Sequence, residues 1–229
     1  MITPEIQALV RRLVERLMHP LLSTGLTPNQ LTLFGLLLSI FTATVLALGH
    51  FIAGGFLVLF SGAFDMLDGG LARVRGGGTT FGAFFDSTLD RLSEGMIYAG
   101  LLIWFQRQNQ TSAVVIVYAV ILGSLLISYA RARAEGLGLE CKVGLLARPE
   151  RVLLLGGALV LDGAGVIATR AMPDRLLIVV LGCLAVLTFF TLAQRIWHIW
   201  LLTLPEQRVE RGPIATFWIR WNERRARHL

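Results

Sequence analysis

The chain lacks most of what a secreted, soluble or multi-domain protein of 229 residues would show. Its only cysteines are Cys141, in a polar stretch, and Cys183, inside an apolar run, so neither a disulfide nor a Cys-type metal spacing is expected. Both thiols are expected to be inert. No low-complexity linker, no block of like charge and no repeat at solenoid spacing divides the chain. Aspartate is scarce, at six residues. Apolar residues take the place of all this, at 55% of the chain, well beyond what a soluble domain of this size needs. The composition therefore points to a membrane protein.

Apolar runs lie near 31–52, 55–73, 83–105, 112–134, 150–169 and 174–203. Each approaches or exceeds the roughly 20 residues that cross a hydrocarbon layer as helix. The first twenty residues do not read as a signal peptide. Ile6, Leu9, Leu13 and Leu17 recur at helical spacing with Arg11, Arg12 and Arg16 between them, the pattern of a helix lying on a membrane surface. The predicted fold is thus an all-α integral membrane protein of six transmembrane helices preceded by an amphipathic juxtamembrane helix. Its expected parts are an interfacial helix over 1–22, one membrane domain over 23–204 and a basic cytoplasmic tail over 205–229.

A formal charge of +6 raises the question of nucleic acid, but topology accounts for the arginines better. With a cytoplasmic N-terminus and six crossings, the outward loops near 50–55, 106–111 and 170–175 hold only Arg107, Arg170 and Arg175, leaving eighteen of the 21 basic residues toward the cytoplasm. That is the positive-inside pattern. A multi-pass protein of the cell membrane with both termini cytoplasmic is expected, and no nucleic-acid partner. The tail from Pro205, with Phe217, Trp218 and Trp221 among its arginines, reads equally as a segment lying against anionic lipid headgroups or as a solvated helix.

Four of the six aspartates fall between Asp65 and Asp90. Ionisable groups in or beside membrane spans cost at least a few kcal/mol each unless they pair, bind metal or face water. Asp65 and Asp68 are three residues apart, Asp86 and Asp90 four, so helical geometry puts each pair on one face. The pairs sit at the facing ends of the second and third spans, joined by Val74–Phe81, and an antiparallel hairpin would bring all four to one depth. Four converging carboxylates repel one another unless cations lie between them. Oxygen ligation suits Mg2+ or Mn2+, one or two ions. Such ions are the usual partners of phosphate esters, so a phosphate or diphosphate substrate is implied. Gly69, Ala72 and Gly82 leave room for a ligand at the helix backbone. Arg73 offers a planar donor for phosphate, Gly76–Gly78 make the loop pliable and Thr79 offers a hydroxyl. Singly, these residues read equally well as packing or turn residues.

The run Asp65-x-x-Asp68-Gly69-x-x-Ala72-Arg73, then eight residues, then Gly82-x-x-x-Asp86-x-x-x-Asp90, resembles at every position the signature of the CDP-alcohol phosphatidyltransferase family. The resemblance implies a six-helix membrane enzyme in which CDP-diacylglycerol, or the ether analogue CDP-archaeol, gives its phosphatidyl group to an alcohol and CMP leaves. It implies Asp65, Asp68 and Asp86 as metal ligands and Asp90 as both ligand and general base, with two ions. It places Gly69, Arg73 and Thr79 at the CDP moiety, beside the helix faces opened by Ala72 and Gly82. The entry to the first span, Thr27-Pro28-Asn29-Gln30-Leu31-Thr32, makes Asn29 and Thr32 candidates for the nucleotide. Thr27 or Asn29 reads equally as a helix N-cap, with Pro28 in the first turn. A homodimer is implied by the family alone.

The second half bears on the acceptor. Ser128-Tyr129-x-Arg131-Ala132-Arg133-Ala134-Glu135-Gly136 and Arg148-Pro149-Glu150-Arg151 resemble stretches of the phosphatidylinositol phosphate synthases and their archaeal counterparts. This implies inositol phosphate as acceptor, its phosphate held by Ser128, Arg131, Arg151 and Arg195, with Arg133 and Arg148 beside them. Where that group carries a lysine this chain has Arg131, which keeps the charge and changes the geometry. Glycerol 3-phosphate is the alternative acceptor, because a second phosphate pocket serves it too. An enzyme of the prenyl-diphosphate type fits less well, since its two acidic motifs are usually several spans apart. A cation or proton transporter is the rival from another class. Against it, the acids cluster near one face and have no counterpart in the second half.

Overall fold

The structure is a computed structural model. It describes residues 27–74, 79–146, 148–166 and 174–207, with the side chains of 64–74 and 205–207 outside the description. The expected interfacial helix over 1–22, the Gly76–Gly78 loop and the aromatic tail around Trp218 lie outside the described residues.

Among the described residues every regular element is a helix: α1 (Pro28–Ala47), α2 (Phe51–Val74), α3 (Thr80–Arg107), α4 (Thr111–Gly136), α5 (Arg148–Gly163) and α6 (Arg175–Gln207). Each apolar run of the sequence falls on one of them, with shifted ends. The largest shift is at 31–52, where α1 stops at Ala47 and α2 starts at Phe51. Gly49, at φ +82°, supplies the left-handed residue that the tight turn requires. Hydropathy cannot register this turn, because Leu48, Phe51 and Ile52 around it are all apolar.

Helix α1 opens on a capping box. The Thr27 hydroxyl accepts from Gln30 N at 3.3 Å while the Gln30 side chain accepts from Thr27 N at 2.9 Å, so two otherwise orphaned donors are satisfied reciprocally. Thr27 is the cap, and Asn29 is left for another role. Along α1, Leu31, Gly35, Ser39, Thr42, Ala43 and Leu46 are buried, while Leu33, Phe34, Leu37 and Phe41 are exposed. The outward face is thus the more apolar one, as lipid requires and water does not.

Helices α1, α4 and α6 through Leu204 are long and apolar enough to cross a membrane. Over the described side chains of α2 the apolar stretch is Phe51–Ala63, and Asp65 and Asp68 follow in the same helix. Helix α3 carries Asp86, Asp90, Arg91 and Glu94 between its start and its middle, and the 16 residues of α5 begin with Arg148, Glu150 and Arg151. The same charges that mark the site shorten the apolar stretch of the helices bearing them. Three helices of this length and apolarity fit a membrane protein; six crossings are proposed.

The chain divides into two compact units, residues up to Leu122 with Ala147–Val186, and Gly123–Leu146 with Leu187 onward. In the first, α1 packs on α2 and α3, and α2 packs on α5. Small residues permit close approach. A Cβ at Gly100 of α3 would lie 2.7 Å from the Ala43 Cα of α1, and one at Gly55 of α2 would lie 2.9 Å from the Gly156 carbonyl oxygen of α5. This is the small-residue packing of membrane helices, where backbones meet directly. The two aspartates outside the cluster tie helix ends together. Asp162 accepts from Leu177 N at 3.2 Å, and Asp174 accepts from Trp104 Nε1 and Gln110 Nε2 at 3.5 and 3.4 Å.

In the second unit the connection after α4 is fastened to α6. Leu145 N donates to Gln194 Oε1 at 3.2 Å, Leu146 N to Thr191 Oγ1 at 3.3 Å, and Arg195 Nε to Val143 O at 3.0 Å. In this connection Lys142 pairs with Glu140, and the hydrogen bond, then the charge, of Lys142 holds the Glu140 carboxyl below its ordinary value. Both cysteines are free, as expected, with Cys141 buried and Cys183 exposed.

Candidate active site

The N-terminal half of α3 is the spine of the site. Thr79, in extended backbone, caps it and accepts from Gly82 N at 2.9 Å. Asp86, Asp90 and Glu94 follow at four-residue spacing, which places three carboxylates in one stripe along the helix. The first turns of α1 lie alongside. Thr32 Oγ1 donates to Pro28 O at 3.1 Å and lies 3.5 Å from Asp86 Oδ1, and a Cβ on Gly82 would sit 3.3 Å from Asn29 Oδ1. Five residues singled out from the sequence, Asn29, Thr32, Thr79, Gly82 and Asp86, therefore come together where α1 meets α3. A side chain at Gly82 would crowd the Thr79 hydroxyl and the Asn29 amide oxygen, so glycine lets those two polar groups stand over the start of α3.

One turn further, Arg148 from the start of α5 reaches Asp90. Its NH1 is 2.6 Å from Asp90 Oδ2, and Arg91 NH1 is 3.7 Å from the same oxygen. At the next turn Arg151 meets Glu94, with Nε and NH2 donating to Oε1 and Oε2 at 2.8 and 2.9 Å. A small cavity beside this pair is lined by Ser39 of α1, Ser61 of α2, Ser93 and Tyr98 of α3, and both arginines. Sequence reasoning missed Glu94. The signal was present, since it continues the spacing of Asp86 and Asp90.

The other acceptor candidates belong to the second unit. Arg195 is 8% exposed and donates through NH1 to Ile127 O at 2.6 Å, beside half-buried Ser128. Arg131 pairs with Glu135 one turn on, at 2.8 Å, and Arg133 is exposed. Arg195 and Ser128 are thus neighbours, while Arg131 and Arg133 project from the last turns of α4.

Asp65, Asp68, Gly69, Ala72 and Arg73 lie in α2, which is helical to Val74; their side chains lie outside the described residues. Among the described residues there is no group of three or more His, Cys, Asp or Glu placed to hold a metal ion. Asp86 and Asp90 supply oxygen donors alone, and Asp86 stands beside another oxygen, that of Thr32. That chemistry fits a hard divalent ion and does not fit zinc in a Cys or His cage.

Carboxylates lining one helix among apolar helices are the donor set that hard divalent ions and phosphate esters call for. The chain belongs to the CDP-alcohol phosphatidyltransferase family, whose model matches residues 25–203. It is an enzyme, a transferase of phospholipid biosynthesis, and the transporter reading falls away. The phosphatidylinositol phosphate synthase of Mycobacterium tuberculosis is 40% identical over 197 residues, 85% of this chain and 88% of that protein. The archaetidylinositol phosphate synthase of Methanothermobacter thermautotrophicus is 36% identical over 192 residues, 83% and 92% of the two chains. Among solved structures, the Mycobacterium tuberculosis synthase with CDP-DAG bound superposes at TM-score 0.73 with 36% identity, covering 82% of this chain and 94% of that one. The same synthase in complex with manganese and citrate superposes at 0.72 with 36% identity, covering 82% and 88%.

Proposed function

We propose that the enzyme transfers the phosphatidyl group of CDP-diacylglycerol, or of its ether analogue CDP-archaeol, to inositol phosphate, giving phosphatidylinositol phosphate or its ether counterpart and CMP. The observation that carries the acceptor is that bacterial and archaeal relatives, each covered over more than four fifths of both chains, share an inositol phosphate lipid product in their names while differing in the lipid. The headgroup is common to both names; the lipid is not.

Asp65, Asp68, Asp86 and Asp90 would hold Mg2+ or Mn2+, two ions by the family resemblance, and the manganese complex of the similar synthase supports such a site. When bound, these ions neutralise the diphosphate and the departing CMP. The residues of the chain do the rest. Asn29, Thr32, Gly69, Ala72, Arg73, Thr79 and Gly82 receive the CDP end of the donor. Ser128, Arg131, Arg133, Arg148, Arg151 and Arg195 receive the acceptor phosphate, arginine being suited to it by its planar array of donors. Asp90 takes the proton of the acceptor hydroxyl. The freed oxygen forms a bond to the lipid-linked phosphorus as the bond from that phosphorus to CMP breaks, and CMP carries off the electron pair. A charged acceptor and a lipid-tailed donor meet at the cytoplasmic face of the membrane, in a protein that the family resemblance makes a homodimer.

The test is a headgroup-resolved product assay. Purified enzyme receives labelled CDP-diacylglycerol with inositol phosphate or glycerol 3-phosphate, with Mg2+ or Mn2+ and with chelator. Labelled phosphatidylinositol phosphate that disappears on chelation is the expected outcome. Phosphatidylglycerophosphate as the main product would overturn the acceptor.

A further inference from the structure

The reaction as written leaves Glu94 without a task, yet it is held by the most buried ion pair of the site. The side chains of Arg151 and Glu94 are 4% and 12% exposed, and two parallel N–H···O bonds join them. A fork of this kind fixes the plane of the guanidinium as well as its distance. Burying two charges costs several kcal/mol each even after relaxation, and well-packed apolar side chains of like volume often do as well or better for stability. A helix contact alone therefore gives little reason for the pair.

Its place in the fold gives a better one. Arg148 and Arg151 are three apart at the start of α5, and Asp90 and Glu94 four apart on α3, so the two pairs form consecutive rungs between the same helices. The inner rung is buried. The outer one carries Arg148, whose side chain is 27% exposed and reaches Asp90. Whatever fixes Arg151 on Glu94 also fixes the first turn of α5 against α3, and with it the position of Arg148.

We propose that Glu94 is a positioning residue for the acceptor side of the site: it holds the Arg151 guanidinium in one plane and, through the first turn of α5, sets Arg148 beside Asp90. This rests on the assignment of Arg148 and Arg151 to the acceptor phosphate. The nucleotide-side residues Asn29, Thr32, Thr79 and Gly82 are clustered around the start of α3, about three turns before Glu94. Loss of the Glu94 carboxylate is therefore felt by the acceptor and not by the CDP-lipid.

Steady-state kinetics of Glu94→Gln and Glu94→Asp test this, using whichever of inositol phosphate and glycerol 3-phosphate the wild type accepts. In Glu94→Gln the KM for the acceptor rises about tenfold or more, the scale of losing a residue that orients a ligating one, while the KM for CDP-diacylglycerol stays within about twofold. Glu94→Asp keeps the charge and gives an intermediate acceptor KM. Equal changes in both KM values, or none, overturn the proposal. If Glu94→Gln does not yield folded protein, Glu94→Asp is read by the same split, and an unchanged acceptor KM overturns it. A wild type that takes glycerol 3-phosphate alone defeats the inositol phosphate reading, and the KM split still judges Glu94.

Discussion

Asp90, the proposed general base, has Arg148 at 2.6 Å and Arg91 at 3.7 Å from one of its oxygens. A positioned general base contributes roughly 10²–10⁴-fold. Asp90→Asn is therefore expected to lower kcat by at least about a hundredfold, checked by CMP release, while metal-dependent binding of CDP-lipid, checked by titration, is largely retained. Unchanged turnover would move the base elsewhere. The pair Asp86 and Asp90 was legible from spacing alone, because four residues is a little over one helical turn; Glu94 continues that spacing and was missed. The partners of those acids were not legible. Arg148 and Arg151 are more than fifty residues away in sequence, and among many cytoplasmic arginines nothing local marks the two that pair with α3. Sequence marked Arg151 as a candidate for the acceptor phosphate and gave no sign that its guanidinium meets Glu94.

At the scale of elements, glycine decides how close helices come. Gly100 places α3 directly on the Ala43 backbone of α1, the same α1 whose Asn29 and Thr32 stand beside α3 at the site. Gly100→Ala forces a methyl group against main chain that cannot yield as a side chain could. Overpacking of this kind costs about 1–3 kcal/mol, so a lower thermal midpoint in detergent is expected, with a raised KM for CDP-lipid if α1 shifts. An unchanged midpoint would show that α1 and α3 separate freely. Helix existence was readable from the apolar runs, and Thr27 was readable as one of two possible caps. Which of Thr27 and Asn29 caps α1 was settled by the hydrogen bonds of Gln30. The end of α1 was hidden, since an apolar tight turn looks like more helix.

For the whole molecule, six crossings are expected with the α3–α4 turn outside and the α4–α5 connection in the cytoplasm. With Cys141 and Cys183 replaced, Gln108→Cys should react with a membrane-impermeant thiol reagent in intact cells, and Glu140→Cys only after permeabilisation. The reverse pattern would invert the topology and put the site on the outer face. Composition was enough to place the chain in a membrane, because no soluble domain needs this much apolar surface. The apolar runs led to an expectation of six spans, of which α1, α4 and α6 are long and apolar enough to cross, while α3 and α5 carry charges of the site.

The class of reaction was legible in the sequence through the signature that Asp65, Asp68, Gly69, Ala72, Arg73, Gly82, Asp86 and Asp90 share with the family; their helical spacing by itself pointed to metal and a phosphate substrate, because it needs only a helix to acquire meaning. The tertiary structure decided which distant groups those acids meet. Thr32 beside Asp86, Arg148 on Asp90 and Arg151 locked to Glu94 depend on how α1, α3 and α5 pack, and no spacing along one helix carries that information.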